Sequence, residues 1–137
     1  MVQVSELMSS NVLTLTSNAS LGRAFAEMKL ARIRHFPVVN AEGSVVGVVS
    51  SLDIARAMPR PGYGKSIPVA SLMTTQVHTV REDRPAWHAA RLMRTKKIGS
   101  LPVVNAKGQL VGIITETDFI EVAEQALKGQ RLRRTRA

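Results

Sequence analysis

With 137 residues, 45% of them hydrophobic and 21% charged, the chain has the balance of a globular protein. A chain of this length buries about two thirds of its unfolded surface, whereas half of it would be marginal alone. The absence of cysteine excludes disulfides, thiolate catalysis and the common zinc ribbons. The net charge of +9 is uneven: residues 1–64 hold six Lys+Arg against four Asp+Glu, residues 65–127 eight against six, and residues 128–137 five against none.

The amino terminus, MVQVSELMSS, has no basic segment followed by an apolar stretch, and no apolar run approaches the roughly eighteen residues of a membrane span. A cytoplasmic protein without a membrane span is expected. After VSELM, the β-branched stretch NVLTL (11–15) predicts a strand. Leu21, Ala24, Phe25 and Met28 then fall at helical spacing, with Asn18 as the expected N-cap. FPVVN and SVVGVVS flank the turn Asn40–Gly43 and predict a hairpin. A second helix starts at Ser50 and stops before Pro59, and PRPGYGKSIP (59–68) reads as a Pro/Gly linker.

The series then begins again. VASLM precedes a predicted strand, QVHTV (76–80). Ala86, Ala89, Ala90 and Met93 form a helical stripe, with Asp83 as the expected N-cap and Pro85 in the first turn. A hairpin turns at Asn105–Gly108, and a last helix runs from Thr115 through Phe119, Val122, Ala123 and Ala126 toward Gly129. Sliding the chain by 65 residues without a gap matches residues 4–54 to 69–119 at 17 of 51 positions, which points to duplication. Two copies are too few for a solenoid. The expected architecture is an α+β fold of two β-α-β-β-α repeats, 1–58 and 69–127, packed about a pseudo-twofold axis, with residues 128–137 a basic flexible tail.

GVVSSLD (47–53) and GIITETD (112–118) carry the chemistry. Gly47 and Gly112 would let a strand approach a ligand closely, since no Cβ intervenes. Ser50 and Thr115 stand where strand becomes helix, so their hydroxyls and nearby free backbone N–H groups could face a phosphate. Asp53 and Asp118, one turn on, could accept hydrogen bonds from a ribose diol. Ser/Thr-x-x-Asp at a helix start also fits a capping box that needs no ligand, and both roles stay open.

The tandem unit resembles the cystathionine β-synthase (CBS) domain pair, or Bateman module, over residues 4 to about 126. The resemblance is carried by MSSNVLTLTSNASLGRAFAEM and MTTQVHTVREDRPAWHAARLM, the two PVVN turns, and the two Gly-apolar-apolar-Ser/Thr-x-x-Asp signatures. It implies a stand-alone regulatory module that binds AMP, ADP, ATP or S-adenosylmethionine in clefts shared between the repeats and signals to an unknown protein partner. No cofactor is required. One cleft would combine Leu13, Arg34, His35, Ile113, Thr115 and Asp118. The other would combine Val48, Ser50, Asp53, His78, Gly99 and Ser100. Arg34 and His35 suit phosphate, so the first cleft is expected to bind it more tightly, the second having no cation. The resemblance further implies a disc-like homodimer, in which Phe25, Leu30, Ile54, Met58, Leu92, Phe119 and Ile120 offer apolar surface that one core would not cover.

Two other functional classes bear on the sequence. KGQRLRRTRA is a solvated extension or a contact for nucleic acid, with the repeats as the dimerising body. An enzyme finds no support: there is no Ser-His-Asp order, carboxylate pair or Walker-type loop. His35, His78 and His88 lack metal-pair spacing, so no metal is expected. Trp87 reads as packing or partner-facing.

Overall fold

The computed structural model describes residues 1–62 and 64–129. In chain order the elements are α1 (Val4–Leu7), α2 (Leu21–Ala31), β1 (His35–Val39), β2 (Val45–Ser50), α3 (Ser51–Ala57), a 3₁₀ turn (Val69–Ser71), β3 (Val80–Arg81), α4 (Ala86–Lys96), β4 (Ser100–Val104), β5 (Leu110–Thr115) and α5 (Glu116–Gly129). Strands β1 and β2 pair antiparallel, with His35 opposite Ser50 and Val38 opposite Gly47. Strands β4 and β5 repeat that register 65 residues on, with Ser100 opposite Thr115 and Val103 opposite Gly112, and β3 adds in parallel to β4.

Each half has a core. In one, Leu21, Ala24 and Met28 of α2 meet Phe36, Val38, Val49 and Ile54; in the other, Ala89 and Met93 of α4 meet Leu101, Val103 and Ile114. The large side chains among these, Phe36, Leu21, Ile54, Leu101 and Ile114, are fully buried. Burying each stabilises the fold by about 1.5–3 kcal/mol.

The packing crosses the repeat boundary. Val69, Leu72 and Met73 complete the first core, while Val4, Leu7 and Met8 complete the second. Backbone bonds fasten the exchange: Val69 N–H donates to Ala19 O at 2.7 Å, and Val4 N–H to Arg84 O at 2.9 Å. Gly47 and Gly112 belong to the same device. A Cβ on Gly112 would stand 2.5 Å from Met8 Sδ, and one on Gly47 would stand 2.6 Å from Met73 Sδ. The strand glycines therefore admit the other repeat's methionine, and not a ligand as their position in the motif had implied.

Several local expectations need correction. NVLTL forms no strand; only Leu15 bridges, in parallel, to Val38, because Asn11, Val12 and Leu13 line a cavity and have no ladder beside them. QVHTV yields only the two-residue β3. The α2 N-cap is Ser20, whose Oγ accepts from Arg23 N–H at 3.2 Å, while Asn18 is engaged by the Thr16 hydroxyl at 2.6 Å. Asp83 pairs with Arg81 instead of capping, and Pro85 is itself the α4 N-cap position. Ile54 is core, and Phe25, Met58, Leu92 and Phe119 pack against the two cores; only Leu30 and Ile120 of the expected uncovered set stand clear, at 86% and 66% exposure. Lys128 and Gly129 close α5, and residues 130–137 of the expected tail lie outside the described residues.

Candidate functional site

The β1–β2 and β4–β5 hairpins run straight into α3 and α5, so the two Ser/Thr-x-x-Asp turns lie at equivalent strand-to-helix junctions. Two cavities open beside them. The larger, about 690 Å³, is walled by Leu13, Arg34, His35, Ile113 and Thr115, five of the six residues expected there. The sixth, Asp118, is not in the wall. Its Oδ2 accepts from Thr115 N–H at 2.8 Å and from the Thr115 hydroxyl at 3.4 Å, which is the capping role. The smaller cavity, about 310 Å³, brings together all six expected residues: Val48, Ser50, Asp53, His78, Gly99 and Ser100.

The junctions differ in how the pairs are used. Ser50 Oγ accepts from Asp53 N–H at 3.1 Å, so the hydroxyl caps α3 and its proton is left to donate. The Asp53 carboxylate makes no hydrogen bond or ion pair among the described residues and lines the cavity. The backbone N–H groups expected to be free are engaged: Ser51 N–H donates to Arg34 O at 2.8 Å, and Glu116 N–H to Gly99 O at 3.1 Å.

His35 and Gly99 line both cavities and form the partition between them. Burial lowers the His35 pKa from its ordinary 6.5; Arg34 pushes it the same way, while Asp53 and Glu116 oppose. The imidazole thus senses charges on both sides of the partition.

Three charged wall residues escaped the motif. Arg32 and Glu116 line the larger cavity, and Lys97 lines the smaller, so the expectation that the second cleft has no cation is overturned. Arg32 and Lys97 occupy equivalent C-cap positions of α2 and α4 in the left-handed conformation, φ 56° and 55°, which carries each basic residue off its helix to a cavity rim. Their sequence signal was a basic residue recurring at the 65-residue spacing. No group of three or more His, Asp or Glu able to hold a metal occurs among the described residues.

A family model of the CBS domain matches residues 4–60 and again 69–125. The chain belongs to the CBS domain family. Among solved structures, this CBS pair superposes on the CBS domain pair of protein MJ0100, in complex with 5′-methylthioadenosine and S-adenosyl-L-methionine, with a TM-score of 0.82 and 30% identity, covering 92% of this chain and 98% of that one. It superposes on CBSX2 in complex with AMP at a TM-score of 0.81 and 28% identity, covering 93% and 99%. A homoserine O-acetyltransferase of Methanococcoides burtonii is 36% identical over 116 residues, which are 85% of this chain and 23% of that protein. The CBS pair thus spans about a quarter of that relative's length. No described helix is long and apolar enough to cross a membrane.

Proposed function

We propose that this CBS pair is a regulatory module that binds an adenosine-containing ligand in the clefts between its repeats and passes occupancy to a partner. The observation that carries the reading is the convergence of both Ser/Thr-x-x-Asp junctions with the opposite repeat's residues around two cavities. In the smaller, Asp53, without a hydrogen-bond or ion-pair partner among the described residues, is the ribose acceptor, with Ser50 and Lys97 for an anionic group. In the larger, Arg34 and Arg32 hold the anionic end and Thr115 stands beside it, while Asp118, outside the wall, caps through Oδ2. Two neighbouring CBS pairs carry AMP or S-adenosylmethionine and methylthioadenosine, which supports the adenosine class. The proposed role is one of binding and regulation.

The proposed assembly is a homodimer through helix faces. Leu30 on α2 and Ile120 and Leu127 on α5 are 86%, 66% and 59% exposed, Trp87 on α4 is half exposed, and α5 has no buried residue at all.

A thermal-shift screen across adenine nucleotides, guanine nucleotides and S-adenosylmethionine tests the reading. A ligand at a hundred times its Kd stabilises the fold by about 2.7 kcal/mol, which at roughly 2–8 °C per kcal/mol raises the midpoint by about 5–20 °C. Stabilisation by adenosine compounds alone is the expected outcome. Equal response to guanine nucleotides refutes the adenosine class.

A further inference from the structure

We infer that Glu116 sets the ligand preference of the larger cleft, making it a site for an adenosine whose side arm carries both a positive and a negative charge, ahead of an adenosine polyphosphate. The inference rests on the adenosine-binding reading above. Glu116 is the first residue of α5 and shares the cavity wall with Arg32 and Arg34. None of the three has an ion pair among the described residues, where the pairs are Arg23–Glu27 and Arg81–Asp83. Both signs of charge therefore face one cavity with no ion-pair partner among the described residues.

The carboxylate is also directed inward. A Cβ built on Gly99, which walls both cavities, would lie 3.6 Å from Glu116 Oε2 and 3.8 Å from Oε1. Its field reaches His35 on the partition. At the corresponding place in the first repeat the chain has Ser51, which does not line the smaller cavity. A carboxylate at this junction position is thus found in the larger cleft alone, the carboxylate of the smaller being Asp53.

A triphosphate placed against Arg32 and Arg34 brings several negative charges toward Glu116, and the N–H groups of Thr115 and Glu116 are already bonded and give no compensation. An arm with a carboxylate and an ammonium or sulfonium group meets the guanidiniums with one end and Glu116 with the other. Unit charges about 4 Å apart in a partly solvated cleft change affinity by about tenfold or more.

The experiment is isothermal titration of the full chain and of Glu116→Gln with S-adenosylmethionine, ATP and adenosine. The wild type is expected to bind S-adenosylmethionine more tightly than ATP. Glu116→Gln should tighten ATP and weaken S-adenosylmethionine, each by about tenfold, with adenosine held within about twofold. Glu116→Asp, which keeps the charge, should keep the wild-type order. Glu116 is exposed, so these substitutions spare the core. An unchanged ATP-to-adenosine ratio in Glu116→Gln overturns the role of Glu116 and leaves the adenosine reading standing. Failure of every compound to bind either protein overturns both.

Discussion

Gly112→Ala probes the joint between fold and cleft. The added Cβ would lie 2.5 Å from Met8 Sδ, 3.1 Å from Met8 Cγ and 2.8 Å from the Ser9 carbonyl oxygen. The thioether is the end of a flexible side chain and can swing aside. The carbonyl cannot, because Ser9 and Ile113 exchange two backbone hydrogen bonds, each 2.9 Å long. Relief requires the segment at Ser9 to move off β5, and overpacking of this kind costs about 1–3 kcal/mol. At Gly47 the closest atoms are Met73 Sδ at 2.6 Å and Cγ at 2.9 Å, with the Thr74 carbonyl at a milder 3.1 Å. Gly47→Ala should therefore cost less. Ser9 and Ile113 line the larger cavity, whereas Val48 and Thr74 line the smaller, so each substitution should also weaken ligand binding in its own cleft. Equilibrium unfolding in urea reads the stabilities. A Gly112→Ala protein within about 0.5 kcal/mol of wild type, the range of a neutral surface change, would refute the claim that the glycine exists to seat the crossing segment. So would a Gly47→Ala protein that is the less stable of the two.

The two aspartates should separate capping from binding. Asp118→Ala removes the acceptor for Thr115 N–H and should cost about 1 kcal/mol in unfolding experiments. Asp53→Ala removes no protein hydrogen bond among those described, so stability should hold within about 0.5 kcal/mol while calorimetric affinity at the smaller cleft falls by about 1.5–3 kcal/mol. His35 has a folded pKa below 6.5, so between that value and 6.5 the unfolded chain binds more protons. Its contribution to stability is complete above about pH 6.5 and declines as the pH falls below it; urea midpoints from pH 5 to 8 should show this slope, and His35→Gln should flatten it. Light scattering coupled to size exclusion should give twice the 14.9 kDa chain mass, and a monomer mass with and without ligand would remove the dimer.

What could be read from sequence followed from local rules. The hairpins were legible because their apolar runs and Asn-Ala-x-Gly turns are self-contained, and the register repeats as the residues do. Eleven of the twelve expected wall residues line the cavities because strand-to-helix junctions are fixed by the same local pattern. Asp118 fell outside because the same three-residue spacing lets its carboxylate turn back onto Thr115. Long-range facts were not legible. Nothing in VSELM or VASLM states that Met8 and Met73 pack in the other repeat, and that exchange is what fills the space above Gly112 and Gly47. Ile54 is buried with Ala57 on one face of α3, and that burial depends on how α3 lies against α2. Lys97 entered the smaller cavity through a left-handed C-cap that a lysine does not announce.

The most direct measurement is a crystal structure of the protein grown with the adenosine compound that stabilises it most. The adenosine should lie between the repeats, with its ribose diol on Asp53 and its charged arm toward Lys97 in the smaller cleft, or with its charged arm toward Arg32 and Arg34 in the larger. An adenosine bound on the outer helix faces, with both cavities holding only solvent at saturating concentration, would contradict the assignment of these clefts as the regulatory site.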